Sequence, residues 1–551
     1  MGIAISTGKA ERKDEMIAYG NTIPVVALVR SGVIKKAESI VVLMLVLSNS
    51  FELKSEENLI MQVTAKVDLG EDLGQNFGSI FEGRDADGRV VIGAGFSGNY
   101  NTHFRMDRYT LQFFVRDDEA ELEFEKLPPP SDDAGNYLFD YDGRIYQNSH
   151  HNDRTARWWD VSNRSWQVDE SFGVGEMVSG EGKMQVGGHT LQFKGGEVWC
   201  DGQKVLTEPD GEDYHHFYYA LGHLFFFNNF KAGNEPRTRL HAILWVPGDG
   251  AADLSKSIPL ELQYAGETPF SIGQLGDEVV NSSNMGGVYG FDGKAWKIIR
   301  NSLRGVSFQL YSMLNWYDKL LIAQYPTGNL FEYDGKELRH LEDAPPVMAG
   351  VSDQAREAQT TGLYGGDLYV GVWPWSELWK YSAHGDSWKF IKRMFERPEI
   401  TDEMVHPYED RIRAYNEAHE EDIVWNSWGQ RVTGLTPMGD ALYLSVSAKG
   451  CPERDMRLEF LHDDSVYDQY RSVFRVTKPG CISAPIKWTG KPIELQFRVT
   501  ESEVTILQDG QILGSAAVRG EAVSGLKGSQ ITWGTGMFGS LKANLQESSV
   551  E

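Results

Sequence analysis

The sequence is poor in cysteine and in positive charge, and each shortage excludes a class of protein. The 3 cysteines among 551 residues, Cys200, Cys451 and Cys481, lie far apart and match no zinc-binding spacing. We therefore predict neither a disulfide framework nor a zinc motif. The formal net charge is -26 at pH 7, which argues against nucleic acid or an anionic membrane surface as a partner, because no basic stripe could neutralise phosphates. An acidic polysaccharide is not excluded, since arginines and lysines in a cleft act locally where salt screens distant charges.

Long apolar runs are also missing. The most apolar stretch, residues 40–47, is too short to span a membrane as a helix. It follows two lysines and precedes a Ser-Asn-Ser sequence, which is the layout of a secretory signal peptide. We therefore predict an N-terminal extension over residues 1–50 with a signal peptide at 33–50, and a secreted or periplasmic protein. A buried β-strand at 40–47 is the alternative.

Turn-forming glycines and aromatic strands are abundant, with 58 glycines and 12% aromatic residues. Residues 319–336 show the repeating unit: an apolar strand, a polar loop, a second strand and an Asp-Gly turn, and such a turn between apolar runs is the strongest short-range signal of a β-hairpin. Copies recur at a spacing of about 40 to 50 residues, the period expected of propeller blades. We predict an all-β fold, a β-propeller of about seven four-stranded blades over residues 51–480. The clearest copies are 137–166, 270–299 and 363–391, and the looser ones are 77–124, 177–206, 215–246, 308–341 and 432–476.

Some segments do not follow the blade pattern. Residues 59–69 alternate like a strand and are a candidate partner for the C-terminal part of the chain. Residues 481–551 contain two alternating strands and an Asp-Gly hairpin, which predicts a small appended C-terminal β module, with a closing blade and tail as the alternative. The charged segment 402–421 is predicted to form a solvated helical insertion between blades.

The position of loops in a propeller directs the search for a site. The short Asp-Gly turns lie on one face, whereas the loops between second and third strands and the loops that lead into first strands lie on the other. Because unusual residues collect in the second set of loops, we expect a ligand there. The loops between second and third strands contain Asn99, Asn101, His103, His150, His151, Arg154, Asn229, Lys231, Asn281, Asn284, Tyr325, Trp373 and Trp375. The loops before first strands contain Tyr214, His215, His216, Arg300 and Arg304.

These residue types suit the binding of a sugar acid. Aromatic faces stack on sugar rings, asparagine hydrogen-bonds hydroxyls, and arginine or lysine pairs with a carboxylate. Histidine and tyrosine can transfer protons. The rim lacks an evident close pair of carboxylates, which glycoside hydrolysis usually needs. It therefore favours β-elimination from a uronic acid, in which a cation neutralises the C5 carboxylate, a base removes the C5 proton and an acid protonates the leaving oxygen.

The blade ends and the rim resemble a known enzyme family. Blades ending in YDGR at residues 141–144 or YDGK at 333–336, the aromatic-lined polar rim, the signal-peptide layout and the histidine, tyrosine and arginine inventory are similar to the seven-bladed propeller polysaccharide lyases, above all the ulvan lyases. The resemblance covers the propeller and not residues 1–50. It implies cleavage of rhamnose-uronate linkages in acidic algal polysaccharides, with histidine and tyrosine as acid and base and arginine near the uronate carboxylate.

Roles are assigned from the loop positions. The predicted catalytic residues are His150 or His151 as base, Tyr325 or His216 as acid, and Arg304 or Arg300 as neutralising cation. The predicted substrate-binding residues are His103, Asn229, Lys231, Asn284, Trp373 and Trp375. Each has a structural alternative, such as a histidine that caps backbone groups or a tryptophan that packs between blades. The chemistry requires no cofactor and no metal ligands are assigned, although a structural calcium or zinc ion would be compatible with an exported propeller.

The sequence is also compatible with other site residues and other functions. A rival catalytic set, taken from the family's order of histidine, histidine, tyrosine and arginine along the chain, consists of His223, His241, Tyr289 and Arg304. A glycoside hydrolase would use Asp153 or Asp160 with a second carboxylate. A non-catalytic carbohydrate- or protein-binding propeller would carry the aromatic residues without a convergent histidine, tyrosine and arginine cluster.

Overall fold

The structure is a computed structural model and is built almost entirely from antiparallel strands. It describes residues 59–101, 108–132, 135–149, 155–172, 182–305, 309–325, 327–348, 356–382, 386–397, 408–423, 429–448, 457–459 and 464–551. The predicted signal peptide and Cys451 lie outside the described residues. Cys200 and Cys481 are free and buried.

The strands that precede blade 1 in the sequence are β1 (Leu59–Asp68), β2 (Ser79–Arg84), β3 (Val90–Phe96), β4 (Asn99–Asn101), β5 (Thr110–Val115) and β6 (Glu123–Leu127). Blade 1 contains β7 (Asn136–Tyr141), β8 (Arg144–Ser149), β9 (Arg157–Asp160) and β10 (Ser165–Val168). Blade 2 contains β11 (Gly182–Val186), β12 (His189–Lys194), β13 (Glu197–Cys200) and β14 (Gln203–Thr207). Blade 3 contains β15 (Asp213–Ala220), β16 (His223–Ala232), β17 (Glu235–Leu244) and β18 (Ile258–Glu261).

Blade 4 contains β19 (Pro269–Leu275), β20 (Glu278–Ser283), β21 (Val288–Phe291) and β22 (Trp296–Arg300). Blade 5 contains β23 (Leu310–Trp316), β24 (Lys319–Gln324), β25 (Leu330–Tyr333) and β26 (Leu338–Leu341). Blade 6 contains β27 (Glu357–Tyr364), β28 (Asp367–Trp373), β29 (Glu377–Ser382) and β30 (Ser387–Arg393), and blade 7 contains β31 (Gln430–Met438), β32 (Ala441–Ala448), β33 (Val473–Thr477) and the earlier β6. The last strands are β34 (Cys481–Pro485), β35 (Ile493–Thr500), β36 (Glu503–Gln508), β37 (Gln511–Ala517), β38 (Gln530–Trp533) and β39 (Asn544–Val550). The helices are α1 (Glu409–His419), α2 (Asp464–Tyr467) and α3 (Gly520–Ser524), with 3-10 turns at Glu170–Phe172, Leu254–Lys256 and Asp468–Arg471.

The blades follow the predicted hairpin pattern. In blade 1 the connection between β7 and β8 is Asp142 and Gly143, and both have positive φ angles, of 47° and 71°, as a tight two-residue hairpin turn requires. Within the described residues there are seven sheets of this pattern, and the last takes its outermost strand, β6, from before blade 1. The predicted all-β fold of four-stranded antiparallel blades is confirmed.

The remaining strands form a two-sheet sandwich, which differs from the predicted domain boundaries. One sheet has the order β37-β36-β35-β1-β39 and the other β34-β5-β3-β2-β38, and their inner faces share one apolar core. Phe497 illustrates the packing, since its ring lies 5.1 Å from that of Phe81 and 5.2 Å from that of Phe113 between centroids. Residues 77–124 are therefore not a loose blade: their strands β2, β3 and β5 complete the C-terminal β module, and β1 pairs with it as the sequence suggested.

The sandwich packs against one end of the propeller, which we call the sandwich end; the opposite end is the open end. Every blade in the described chain contacts the sandwich region through the turn between its first two strands. The contacts are Gly143 with Pro485, Gly187 with Asp72, Gly222 with Leu73, Asp277 with Lys542, Tyr317 with Met537, Gly366 with Arg116, and Gly439 with Ser483. The Asp-Gly face of the propeller is therefore structural.

A short strand from the sandwich enters the axis of the propeller. β4 pairs antiparallel with β23, the innermost strand of blade 5, and Asn99 Nδ2 donates to the carbonyl of Thr361 in blade 6 at 2.6 Å. Gly98 accepts a backbone hydrogen bond from Asn315 at 3.1 Å. The axis is thus occupied from the sandwich end, and a ligand from solvent would approach from the open end. Helix α1 lies inside the predicted insertion 402–421, on the connection from β30 to β31.

Candidate functional site

A buried cation lies near the start of the innermost strand of blade 7. Arg431 is 2% exposed. Its Nη1 donates to Gln359 Oε1 at 3.0 Å and its Nη2 donates to the hydroxyl of Tyr137. Because blades 1, 6 and 7 each contribute one of these residues at the start of a first strand, the contact lies beside the axis toward the open end.

Two further tyrosines and a carboxylate join this group. Tyr311 in blade 5 interacts electrostatically with Arg431, Tyr137, Tyr325 and Glu357, and the rings of Tyr311 and Tyr325 meet edge to face with centroids 6.5 Å apart. Glu357 is fully buried at the start of β27. We call Tyr137, Tyr311, Tyr325, Glu357 and Arg431 the axial cluster.

The electrostatics of the axial cluster keep its central phenol protonated. Burial raises the pKa of Tyr311 well above its ordinary value, Glu357 adds to this effect, and Arg431 opposes it. The Tyr311 hydroxyl accordingly donates to Gln309 Oε1 at 3.0 Å. The cluster thus combines a cation in a low-dielectric setting with phenolic donors, which is suited to holding a carboxylate or sugar hydroxyls.

A histidine pair forms a second cluster, at the open end of blade 3. The Nδ1 atoms of His215 and His216 lie 2.5 Å apart, and Asn229 Nδ2 lies 2.8 Å from His215 Nε2 and 3.3 Å from Asp213 Oδ2. His216 has a φ angle of 55° in a β-bulge. Such a conformation is uncommon for a non-glycine residue outside a tight turn, and strained residues of this kind cluster at functional sites. We call His215, His216 and Asn229 the histidine cluster.

Both imidazoles of the histidine cluster are neutral at neutral pH. Burial lowers the pKa of His215 to about 4, and burial with the neighbouring His215 lowers the pKa of His216 to about 3. Asp213 requires a donor, so the Asn229 amide nitrogen faces both Asp213 and His215 Nε2. His215 Nδ1 then donates to His216 Nδ1, which leaves the proton of His216 on Nε2. His216 therefore serves as a hydrogen-bond donor.

A third polar group lies in blade 4 and is wholly internal. The Tyr289 hydroxyl donates to Glu267 Oε1 at 2.5 Å and lies 2.7 Å from Ser302 Oγ. Burial raises the pKa of Tyr289 well above its ordinary value, and Glu267 reinforces the effect. Since Glu267 is fully buried, this group is structural.

The structure separates the predicted catalytic residues. Tyr325 belongs to the axial cluster and His216 to the histidine cluster, on different blades. Arg300 lies over the ring of Phe331 with 5.1 Å from its Cζ to the centroid, and burial lowers its pKa. Arg304 is exposed. His150, His151 and His103 lie outside the described residues.

The predicted substrate-binding residues divide in the same way. Asn229 is part of the histidine cluster, and Lys231 is exposed at the end of β16. Asn284 uses its amide on the backbone, accepting from Thr268 N at 2.9 Å and donating to Gly266 O at 3.0 Å. Trp373 and Trp375 are each 1% exposed, so neither ring offers a stacking face to a sugar in this structure, and their burial fits the packing alternative.

The rival set does not converge on the open end. His223 lies in the turn at the sandwich end, with its Nδ1 at 2.8 Å from Leu221 O. His241 stacks on Phe226 at 4.7 Å between centroids and lies 2.7 Å from Ser257 Oγ. Tyr289 is engaged inside blade 4. Of the hydrolase candidates, Asp160 accepts turn hydrogen bonds from Ser162 N and Asn163 N at 2.9 and 3.0 Å, and Asp153 lies outside the described residues.

One group in the described ranges could hold a metal ion. The ligand atoms of His189, Cys200 and Asp201 lie within 4.8 Å of one another, at turns of blade 2 on the sandwich end. Asp201 already pairs with His189 Nδ1 at 2.6 Å and accepts from Thr190 N at 2.9 Å. These two contacts explain its position without an ion.

The loop positions do not predict most of the axial cluster. Tyr137, Glu357 and Arg431 lie inside first strands rather than in the loops between second and third strands. A usable signal is present, because β27 and β31 each contain a single charged residue near the start, Glu357 and Arg431, among uncharged residues. A polar side chain at the start of a first strand of a propeller faces the axis or a neighbouring blade.

No helix within the described ranges is long and apolar enough to cross a membrane.

Comparisons with known proteins give a fold likeness only. No family model and no curated protein matches the chain. Similar solved structures include the computationally designed Ika8 protein, at 11% identity over 74% of this chain and 99% of that chain with a TM-score of 0.32. BamB from Moraxella catarrhalis is 12% identical over 66% and 96%, with a TM-score of 0.29. An oligogalacturonate lyase in complex with manganese is 9% identical over 74% and 98%, with a TM-score of 0.32. Likenesses at these TM-scores carry no functional argument.

Proposed function

We propose that the protein is a polysaccharide lyase that cleaves a uronic-acid-containing glycan, of the ulvan-like rhamnose-glucuronate type, by β-elimination at the open end of the propeller. The observation that carries the proposal is the buried Arg431 held among Tyr137, Tyr311 and Tyr325. We also propose that the seven sheets are the full set of blades, and that the protein is exported.

The proposed roles follow from the chemistry of each group. The field of Arg431 in a low-dielectric site stabilises the charge that builds on the uronate carboxylate as the C5 proton leaves. Tyr325, which is partly buried beside Tyr311, donates a proton to the leaving oxygen. His216 donates a hydrogen bond to a sugar oxygen. The base stays the predicted His150 or His151.

The test is incubation with ulvan, polygalacturonate, alginate and glucuronan. Elimination creates a double bond conjugated with the carboxylate, so we expect ultraviolet absorbance to rise together with reducing ends on at least one substrate. Reducing ends without absorbance would instead identify a hydrolase. Retardation in affinity electrophoresis without any cleavage would identify a binding propeller, and either result would refute the lyase.

Variants test the roles within the axial cluster. Tyr325→Phe keeps the ring and should lower kcat by about 10²-fold or more, the usual contribution of a general acid. Tyr333→Phe is the matched control in the same blade. The Tyr333 hydroxyl donates to Glu278 Oε2 at 2.8 Å, and neither residue belongs to the axial cluster. Arg431→Lys should lower kcat as well, since lysine lacks the planar fork that holds Tyr137 and Gln359. Full activity in Tyr325→Phe would exclude Tyr325 as the acid.

A further inference from the structure

A pocket rich in lysine lies between blades 6 and 7, away from the axial and histidine clusters. Its volume is about 470 Å³. The outer strands of blade 6 form one wall, and residues 118–122, which connect the sandwich strand β5 to β6, form the other. We call it the lysine pocket after its cations, Lys380, Lys389, Lys392 and Lys478.

The floor of the lysine pocket carries more positive than negative charge. The fully buried Asp367 faces three cations: Arg116 at 2.7 Å, Lys380 at 3.1 Å and Lys478 at 3.9 Å. Arg116 is also engaged by Asp118 at 2.7 Å. Two carboxylates therefore form ion pairs with three cations, and the ion pair of Lys478 with Asp367 is the longest of these. Burial lowers the pKa of Lys478, with Asp367 opposing the shift.

One buried donor in the lysine pocket lacks an acceptor, and a second has only a long ion pair. The Lys478 side chain is 3% exposed, and its Nζ is beyond hydrogen-bond distance of Asp367. The hydroxyl of Tyr369, a residue that is 1% exposed, has no hydrogen-bond partner in the described structure. Both residues line the pocket. Buried donors without acceptors are rare because each loses its hydration without compensation.

Part of the lysine pocket is apolar and suits the carbon skeleton of an organic ligand. Phe124 and Ile391 line it, and Lys392 Nζ lies 5.1 Å from the centroid of the Phe124 ring. Glu119 and Glu121 stand on the opposite wall. Their charges would repel an extended polyanion, whereas a small ligand with a single oxyanion could lie against the lysines alone.

We infer that the lysine pocket binds a small organic anion whose oxyanion group, a carboxylate, sulfate or phosphate, accepts from Lys478 Nζ and the Tyr369 hydroxyl. The rest of the ligand lies against Phe124 and Ile391. Lys380 and Lys389 add charge around the site. The site is separate from the proposed lyase chemistry and does not depend on it.

The test is isothermal titration of the full chain with glucuronate, inorganic phosphate and sulfate in a buffer free of other oxyanions. At least one probe should bind, and the preferred probe identifies the oxyanion. Lys478→Met should weaken binding about tenfold or more, the usual effect of losing a hydrogen bond to a charged partner. Lys256→Met, an exposed lysine on blade 3, is the matched control and should bind like the unmodified protein.

Tyr369→Phe provides a second and independent readout. It should also weaken binding, but it should leave the unfolding midpoint of the ligand-free protein unchanged or higher, because the hydroxyl has no partner to lose. Failure of all three probes to bind would overturn the inference. Binding that neither Lys478→Met nor Tyr369→Phe weakens would overturn it as well, since the anion would then be held elsewhere, including at the open end.

Discussion

Removal of one buried guanidinium should loosen the attachment of the sandwich to the propeller. Arg116 directly follows β5 of the sandwich, and its Nη1 donates to Gly366 O at 2.7 Å in the first turn of blade 6. Its Nη2 donates to Asp367 at 2.7 Å and to Ser382 Oγ at 2.6 Å. The side chains of Arg116 and Asp367 are 4% and 0% exposed, so this contact lies in a low-dielectric setting.

The magnitude follows from what Arg116→Met leaves behind. Methionine keeps the alkyl volume but leaves the Asp367 carboxylate without its guanidinium partner. Loss of one partner of a buried ion pair costs about 3–5 kcal/mol. Lys380 at 3.1 Å still faces Asp367, so we expect the lower end, about 3 kcal/mol. Arg237→Met is the control: it removes an ion pair with Glu261 at 2.9 Å in which both side chains are 43% exposed, and exposed pairs contribute about 0–1 kcal/mol.

The assay is urea unfolding followed by tryptophan fluorescence and by far-ultraviolet circular dichroism. Coincident transitions permit the free energy of unfolding to be compared between variants. If the two signals separate in Arg116→Met alone, the sandwich is detaching before the blades unfold, which also fits the reasoning. An unfolding free energy no lower in Arg116→Met than in Arg237→Met would refute it.

Three other predictions test the described clusters. Burial holds the pKa of His215 near 4 and of His216 near 3, against an ordinary value of 6.5. The unfolded chain therefore binds more protons than the folded chain in this window, and the free energy of unfolding should fall on acidification from about pH 6.5 to 4. His215→Gln should flatten that part of a plot of the urea midpoint against pH. Tyr289→Phe should cost about 1–3 kcal/mol in urea unfolding because it removes a donor from the buried Glu267, and a neutral result would mean that another donor replaces it. Asn99→Ala should speed amide hydrogen exchange in β4 and β23 while lowering global stability by about 1 kcal/mol, and unchanged exchange would count against β4 being held by that side chain.

The blades could be predicted because their information is local. Each hairpin is specified by residues that adjoin in sequence, such as Asp142 and Gly143, whose positive φ angles are needed for the turn. The sandwich could be foreseen only in part. Val63 of β1 lies opposite Phe497 of β35, and alternation in each strand shows that it has a buried face but does not name its partner. Local alternation therefore predicts a loose blade at residues 77–124, where the structure has strands of the sandwich.

The axial cluster is not predictable from the sequence for a related reason. Loops carry function in most folds, whereas Glu357 and Arg431 lie inside strands whose other side chains are apolar or uncharged polar. The interaction between Arg431 and Tyr137 joins blade 7 to blade 1, and such a contact depends on closure of the ring. Burial of Trp373 and Trp375 likewise depends on how neighbouring blades pack, which no single segment encodes.

The pairing of β1 with β39 has a consequence for biosynthesis. Gln62 and Glu551 exchange backbone hydrogen bonds of 2.9 Å in each direction, so one edge of β1 stays uncovered until β39 and the residue that follows it have been synthesised. The blades can assemble while translation proceeds, but the pairing of β1 with β39 can form only after β39 has been synthesised and has left the ribosome. Until then β1 presents an unpaired edge to other chains, and deletion of β39 should leave that edge permanently uncovered.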